Sequence, residues 1–171
     1  MMSKEKVLLH KGMDQVKRGE YELAMEYFSR VLEINPENPE AWNNQGVALF
    51  RLGQVEEALA SWDRAVEFAP ENMEALRNKA FVFRSLGRLE EALEIYDQLV
   101  LATEEAGDYE AKAAVMAALG MLEEALAVLQ DAYEMSKSPR IEEDIAMLVG
   151  YIEARRHAGE EEEVEETSGK D

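Results

Sequence analysis

The 171-residue sequence predicts an all-α protein of about four helix pairs followed by one further helix. Three observations carry this. Gly19, Gly53, Gly87 and Gly120 are separated by 34, 34 and 33 residues, and Ala24, Ala58, Ala92 and Ala125 keep the same spacings, a self-similarity of the length typical of stacked repeats. Within each period the apolar residues follow helical spacing, and nothing alternates with period two. After Pro139 the period stops and a different amphipathic pattern begins.

The repeats are expected at about 5–38, 39–72, 73–105 and 106–139. The second shows the unit best. Trp42, Gln45, Gly46 and Leu49 lie at i, i+3, i+4 and i+7 on one helical face, and Gly53 follows as the residue able to take a positive φ and stop the helix. Val55, Ala58, Leu59, Trp62, Ala65 and Val66 form the stripe of a second helix, and Pro70 lies just past its end. Bulky residues recur in step as Phe28, Trp62, Tyr96 and Leu129, and as Leu8, Trp42, Leu76 and Tyr109. Gly12, Gly46, Ala80 and Ala113 are expected to face Ala24, Ala58, Ala92 and Ala125, so that paired helices approach closely. No single pair buries its apolar face alone, so stability must come from stacking.

Beyond the repeats, Ser138 suits an N-cap, Pro139 suits the first helical position, and Glu142, Glu143 and Asp144 load the first turn with the charge its dipole favours. Ile141, Ile145, Leu148 and Ile152 form one stripe of a capping helix expected over 140–157, while Met147, Tyr151 and Ala154 form a second. The isoleucine face is expected to pack around Leu122, Leu126 and Leu129. The alternative folds the helix over Ala111, Ala114 and Ala118 and blocks that end of the inner face. From residue 158 onward seven acids face one Lys and Val164 is the only bulky apolar residue, which predicts a disordered acidic tail over 158–171.

Charge narrows the partners. Eighteen Lys and Arg against 37 Asp and Glu leave a formal −19; a phosphate binder needs surplus cations to displace counterions, so neither nucleic acid nor an anionic membrane surface is expected. The longest stretches free of charge, residues 41–50 and 113–122, are each 10 long, half of the roughly 20 residues a membrane span needs. There is no Cys, hence no disulfide, thiolate metal site or cysteine nucleophile. No signal-peptide pattern opens the chain, and a cytoplasmic location is the default expectation.

Nothing in the residues offers catalysis. His10 and His157 are the only histidines and neither sits in a ligand or triad spacing. The pairs Glu56–Glu57, Glu90–Glu91 and Glu123–Glu124 recur at one repeat position, where acids match the dipole of a helix N-terminus. No cofactor or metal is expected, and the chain is read as a non-enzyme.

The run Trp42, Gly46, Leu49, Ala58, Trp62, Ala65, Pro70 resembles the signature of the tetratricopeptide repeat, or TPR. The first unit matches through Gly12, Gly19, Ala24, Phe28 and Pro36. The third matches through Ala80, Phe83, Gly87, Ala92 and Tyr96, with Glu104 in place of the closing Pro. The fourth is one residue out of step, has Lys137 at the Pro position and carries an Ala-rich first helix. The resemblance implies a right-handed superhelical stack whose first helices line a concave groove.

Offsets carried over from the family put Leu9, Met13, Asn43, Asn44, Val47, Phe50, Arg51, Arg77, Asn78, Phe81 and Arg84 on that groove, with Gly107, Glu110, Ala111, Ala114, Ala117 and Ala118 in the fourth unit. Those from Leu9 to Arg84 are the candidate peptide-binding residues: apolar anchors, amides able to bond a peptide backbone, and cations for an acidic segment. The bland alternative packs Val47, Phe50 and Phe81 between neighbouring helices. The carboxylate clamp of TPR co-chaperones falls on Leu9, Met13, Asn44, Glu74 and Asn78, where only Asn44 agrees, leaving Arg77 and Arg84 to hold a carboxylate differently. The leading function is therefore a scaffold binding an apolar and acidic segment of a partner protein. The alternative is a structural assembly protein that self-associates through its C-terminal helix or stacked surface, although like charge predicts a monomer or a weak homodimer.

Overall fold

The computed structural model describes residues 2–168, with side chains described over 2–158. Nine helices and no strand occur among the described residues. They are α1 (Lys4–Arg18), α2 (Tyr21–Ile34), α3 (Pro39–Arg51), α4 (Val55–Phe68), α5 (Met73–Ser85), α6 (Leu89–Ala102), α7 (Ala106–Ala118), α8 (Leu122–Ser136) and α9 (Pro139–Ser168). The chain divides into two compact units, Met1–Val82 and Phe83–Asp171.

The turn inside each repeat is one motif used four times. Gly19, Gly53, Gly87 and Gly120 have φ of 80°, 79°, 73° and 81°, a region that costs a residue with a Cβ about 1–2 kcal/mol. The left-handed step lets the following residue reach back to a carbonyl five positions earlier: Glu20 N–H to Gln15 O, Gln54 to Leu49, Arg88 to Phe83 and Met121 to Met116, each at 2.9 Å. The glycine N–H itself bonds the carbonyl three residues earlier in every case. Together these satisfy helix-end carbonyls in a Schellman arrangement. The periodic glycines thus set the hairpins.

In the first unit α1 pairs with α2, α3 with α4, and α2 packs on α3. Two of the small residues give close approach to an aromatic of the paired helix: a Cβ on Gly12 would lie 2.5 Å from the Phe28 ring, and one on Gly46 would lie 2.6 Å from Trp62. Ala24 and Ala58 are fully buried alongside. Asn38 and Asn72 cap α3 and α5, accepting from Ala41 N–H at 2.7 Å and Ala75 N–H at 3.1 Å. Lys79 reaches Asp63 at 2.5 Å, tying α5 to α4.

In the second unit α6 packs on α7, α7 pairs with α8, and α8 packs on α9. Lys112 on α7 reaches Asp97 on α6 at 2.8 Å, the same bridge one repeat later. The isoleucine face of α9 takes the first of the two expected arrangements: Ile141 is fully buried in a cluster with Met116, Ala125, Leu129 and Ala132, against which Ile145 and Leu148 pack. The backbone of α9 departs from the expected end of the helix. It stays helical to Ser168, past residue 157 and into the stretch expected to be a disordered tail. Glutamate is a good helix former and the stretch contains no proline, while an interior glycine costs only about 1 kcal/mol. Residues 169–171 of that expected tail lie outside the described residues.

Candidate functional site

The first unit gathers five of the expected groove residues around one small hollow. Val47, Phe50 and Arg51 from the last turns of α3 meet Asn78 and Phe81 from α5, with Trp62 and Val82 behind them, around a cavity of about 120 Å³. Phe81 is 48 % exposed. Its ring stands edge-on to Phe50 at 6.2 Å, and Phe50 lies 6.3 Å from Trp62, within the range of favourable aromatic pairs. At about 30 Å³ per water, the hollow suits one aliphatic side chain. Arg51 is exposed at its rim.

Other members of the expected set are placed differently. Leu9 is only 4 % exposed and belongs to the core of the first two pairs, and Met13 packs against the same core. Asn43 is 2 % exposed. Its Oδ1 accepts from Asn78 Nδ2 at 3.1 Å, and its carbonyl accepts from Trp62 Nε1 at 3.1 Å, so it positions Asn78 and the indole from within. Asn44 donates to the Glu40 carbonyl of its own helix at 2.8 Å. Arg77 is half-buried on α5.

Arg84 lies in the second unit, at a different and larger opening. It lines a trough of about 610 Å³, inside the range of ligand pockets. The floor is Gly107, Ala111, Ala114 and Ala117 of α7, and the far wall is Asp144, Met147 and Leu148 of α9. Here α9 walls the inner face of the fourth repeat instead of filling it. Arg140 and Glu110, both lining the trough, form an ion pair. Burial pushes the Tyr96 phenol above its ordinary range, against the opposing pull of Arg84. The α9 side of the trough was absent from the expected site; the second stripe through Met147 was the signal that pointed to it.

Among the described residues no group of three or more His, Asp or Glu is placed to hold a metal ion, and no helix is long and apolar enough to cross a membrane. A tetratricopeptide repeat model matches residues 9–72 and again 48–111, and a second such model matches residues 106–131. The chain belongs to the tetratricopeptide repeat family. No curated protein sequence matches this TPR chain. Among solved structures it is similar to MamA 41-end from Desulfovibrio magneticus RS-1, at 20% identity over 94% of this chain and 92% of that one, with a TM-score of 0.79. TTC0263, a thermophilic TPR protein in Thermus thermophilus, is 25% identical over 86% of this chain and 82% of its own, with a TM-score of 0.64. YrrB, described as a TPR protein with an unusual peptide-binding site, is 19% identical over 86% and 77%, with a TM-score of 0.73. These likenesses agree on the fold, the TPR stack of helix pairs with a C-terminal helix added.

Proposed function

We propose that this TPR chain is a non-catalytic interaction scaffold that holds a peptide segment of a partner protein on the first helices of its repeats. The observation that carries the reading is the exposed Phe81 ring set against Phe50 over a hollow of one side chain's volume. Exposed apolar surface beside a hollow and rimmed by polar residues is the kind of patch a partner covers. An apolar anchor of the segment enters between Phe50 and Phe81, and Arg51 at the rim favours an acidic residue next to the anchor. Asn78 lines the same hollow, its Nδ2 held by Asn43, and its amide oxygen is the acceptor we assign to a peptide N–H. Membership in the TPR family supports a protein partner, and the net charge of −19 disfavours nucleic acid.

The test is an array of acidic and apolar peptides probed with wild type, Phe50→Ala/Phe81→Ala and Arg51→Glu. Peptides retained by wild type should lose about tenfold or more in affinity with the aromatic double variant. They should weaken with salt for wild type, and with Arg51→Glu that salt dependence should reverse. Equal binding by all three proteins removes the site from this hollow.

A further inference from the structure

Beside the α7–α9 trough two large apolar side chains of one helical stripe stand in solvent. Arg140, Asp144, Met147 and Tyr151 lie at i, i+4, i+7 and i+11 along α9, and the first three line the trough. Met147 is 70 % and Tyr151 58 % exposed. The adjoining flank of the helix is directed inward, with Ile141 and Ile152 buried. Across from the stripe, Ala111, Ala114 and Ala117 of α7 carry side chains too short to fill the space in front of them.

One surface therefore holds a protrusion next to a hollow. That is the condition for an isologous contact, in which the same patch meets itself across a two-fold axis. We infer that the occupant of the trough is a second copy of this chain: Met147 of each copy enters the hollow of the other, and Tyr151, one turn further on, closes its edge. Methionine suits the role because its unbranched thioether adapts to an irregular cavity.

Local charge permits the pairing despite the overall −19. The charged residues lining the trough are Arg84 and Arg140 against Glu110 and Asp144, two of each sign, so the patch itself carries no net charge. The remaining acids repel from farther away, and salt screens that repulsion over about 8 Å at physiological ionic strength. Apolar burial is not weakened in this way. Self-association should therefore tighten with added salt, whereas the peptide binding proposed above should weaken, and the two readings can fail separately.

The experiment is sedimentation velocity of the full chain over a concentration series at low and high NaCl. A monomer–dimer equilibrium is expected, with the dimer favoured at high salt. Met147→Glu/Tyr151→Glu and, independently, Ala114→Arg should each weaken the dimer by about tenfold or more while leaving the thermal melt of the monomer in place. A monomer at every concentration and salt overturns the inference and leaves the trough to another partner. So does a dimer that both variants leave intact.

Discussion

A Cβ on Gly46 would stand 2.6 Å from Nε1 of Trp62, the same nitrogen that donates to the Asn43 carbonyl at 3.1 Å. The absence of a side chain on α3 is thus what lets the indole of α4 lie flat on its partner helix and satisfy its N–H inside the core. Gly46→Ala should push the ring off this bond and cost about 1–3 kcal/mol as an overpacked core does. Gly107 and Gly150 are also helical, but a Cβ on either would meet nothing within 4 Å. Changing them to Ala should stabilise by about 0.4–1 kcal/mol. Thermal melts of the three variants check this; a Gly46→Ala protein that melts with wild type contradicts the packing argument.

The hairpin glycines fail for a different reason. At Gly53, with φ of 79° and no atom within 4 Å of a Cβ, space is free and only the backbone objects. Gly53→Ala should cost about 1–2 kcal/mol, and Gly53→Asn less, since Asn tolerates the left-handed region. The order Gly, Asn, Ala in melting temperature is the outcome to look for, and equal loss for Asn and Ala would place the cause in packing instead.

Glu5 ties α1 to the loop between α2 and α3. One carboxylate oxygen accepts from Asn35 Nδ2 at 2.8 Å and from Asn38 Nδ2 at 2.7 Å, while Asn38 uses its own Oδ1 to cap α3. The hydrogen bond from Asn35, then that from Asn38, hold the Glu5 carboxyl below its ordinary range. A carboxyl whose pKa is depressed on folding contributes stability that is present above the unfolded value, about 4.3, and is lost as pH falls through the folded value. Stability should therefore drop more steeply from pH 5 toward pH 3 (about one unit on either side of that value) in wild type than in Glu5→Gln. Parallel curves for the two proteins would show that the bonds do not distinguish the ionised form.

The fold was legible because its determinants are local and repeated: four glycines mark four hairpins, and the alternation of large and small residues follows the helical period. The site was legible only in part. Val47, Phe50, Arg51, Asn78 and Phe81 converge as their offsets imply. Leu9 and Asn43 occupy positions of the same register, yet they are buried, one in an apolar core and one by bonding Asn78 and Trp62. Register fixes which way a residue leaves its helix; what stands in front of it is decided by a neighbouring repeat. The trough shows the same limit, since the alanines of α7 are plain in the sequence while the gap between them and α9 depends on how α9 seats on α8. Along α9 a composition rule for acidic segments competes with helix propensity, and the backbone follows propensity to Ser168.

The two flanks of α9 should respond oppositely to the same kind of change. Ile141 has no exposed surface and sits among Met116, Leu129 and Ala132, so Ile141→Ala removes buried methylenes and leaves a cavity, at a cost of about 2–5 kcal/mol. Met147 is mostly in solvent, and Met147→Ala should change the stability of the monomer by no more than about 0.5 kcal/mol. Ending the chain after Pro139 removes the whole cover of α8, including Ile152, which is also buried. The apolar face around Leu122 and Leu129 would then meet water, and the shortened chain should melt lower or aggregate, as an array without its terminal cap does. Circular-dichroism melts of the three proteins at low concentration separate the roles. If the shortened chain keeps the melting temperature and solubility of the full one, the inward flank of α9 is not a cap, and the helix acts only through the flank that carries Met147.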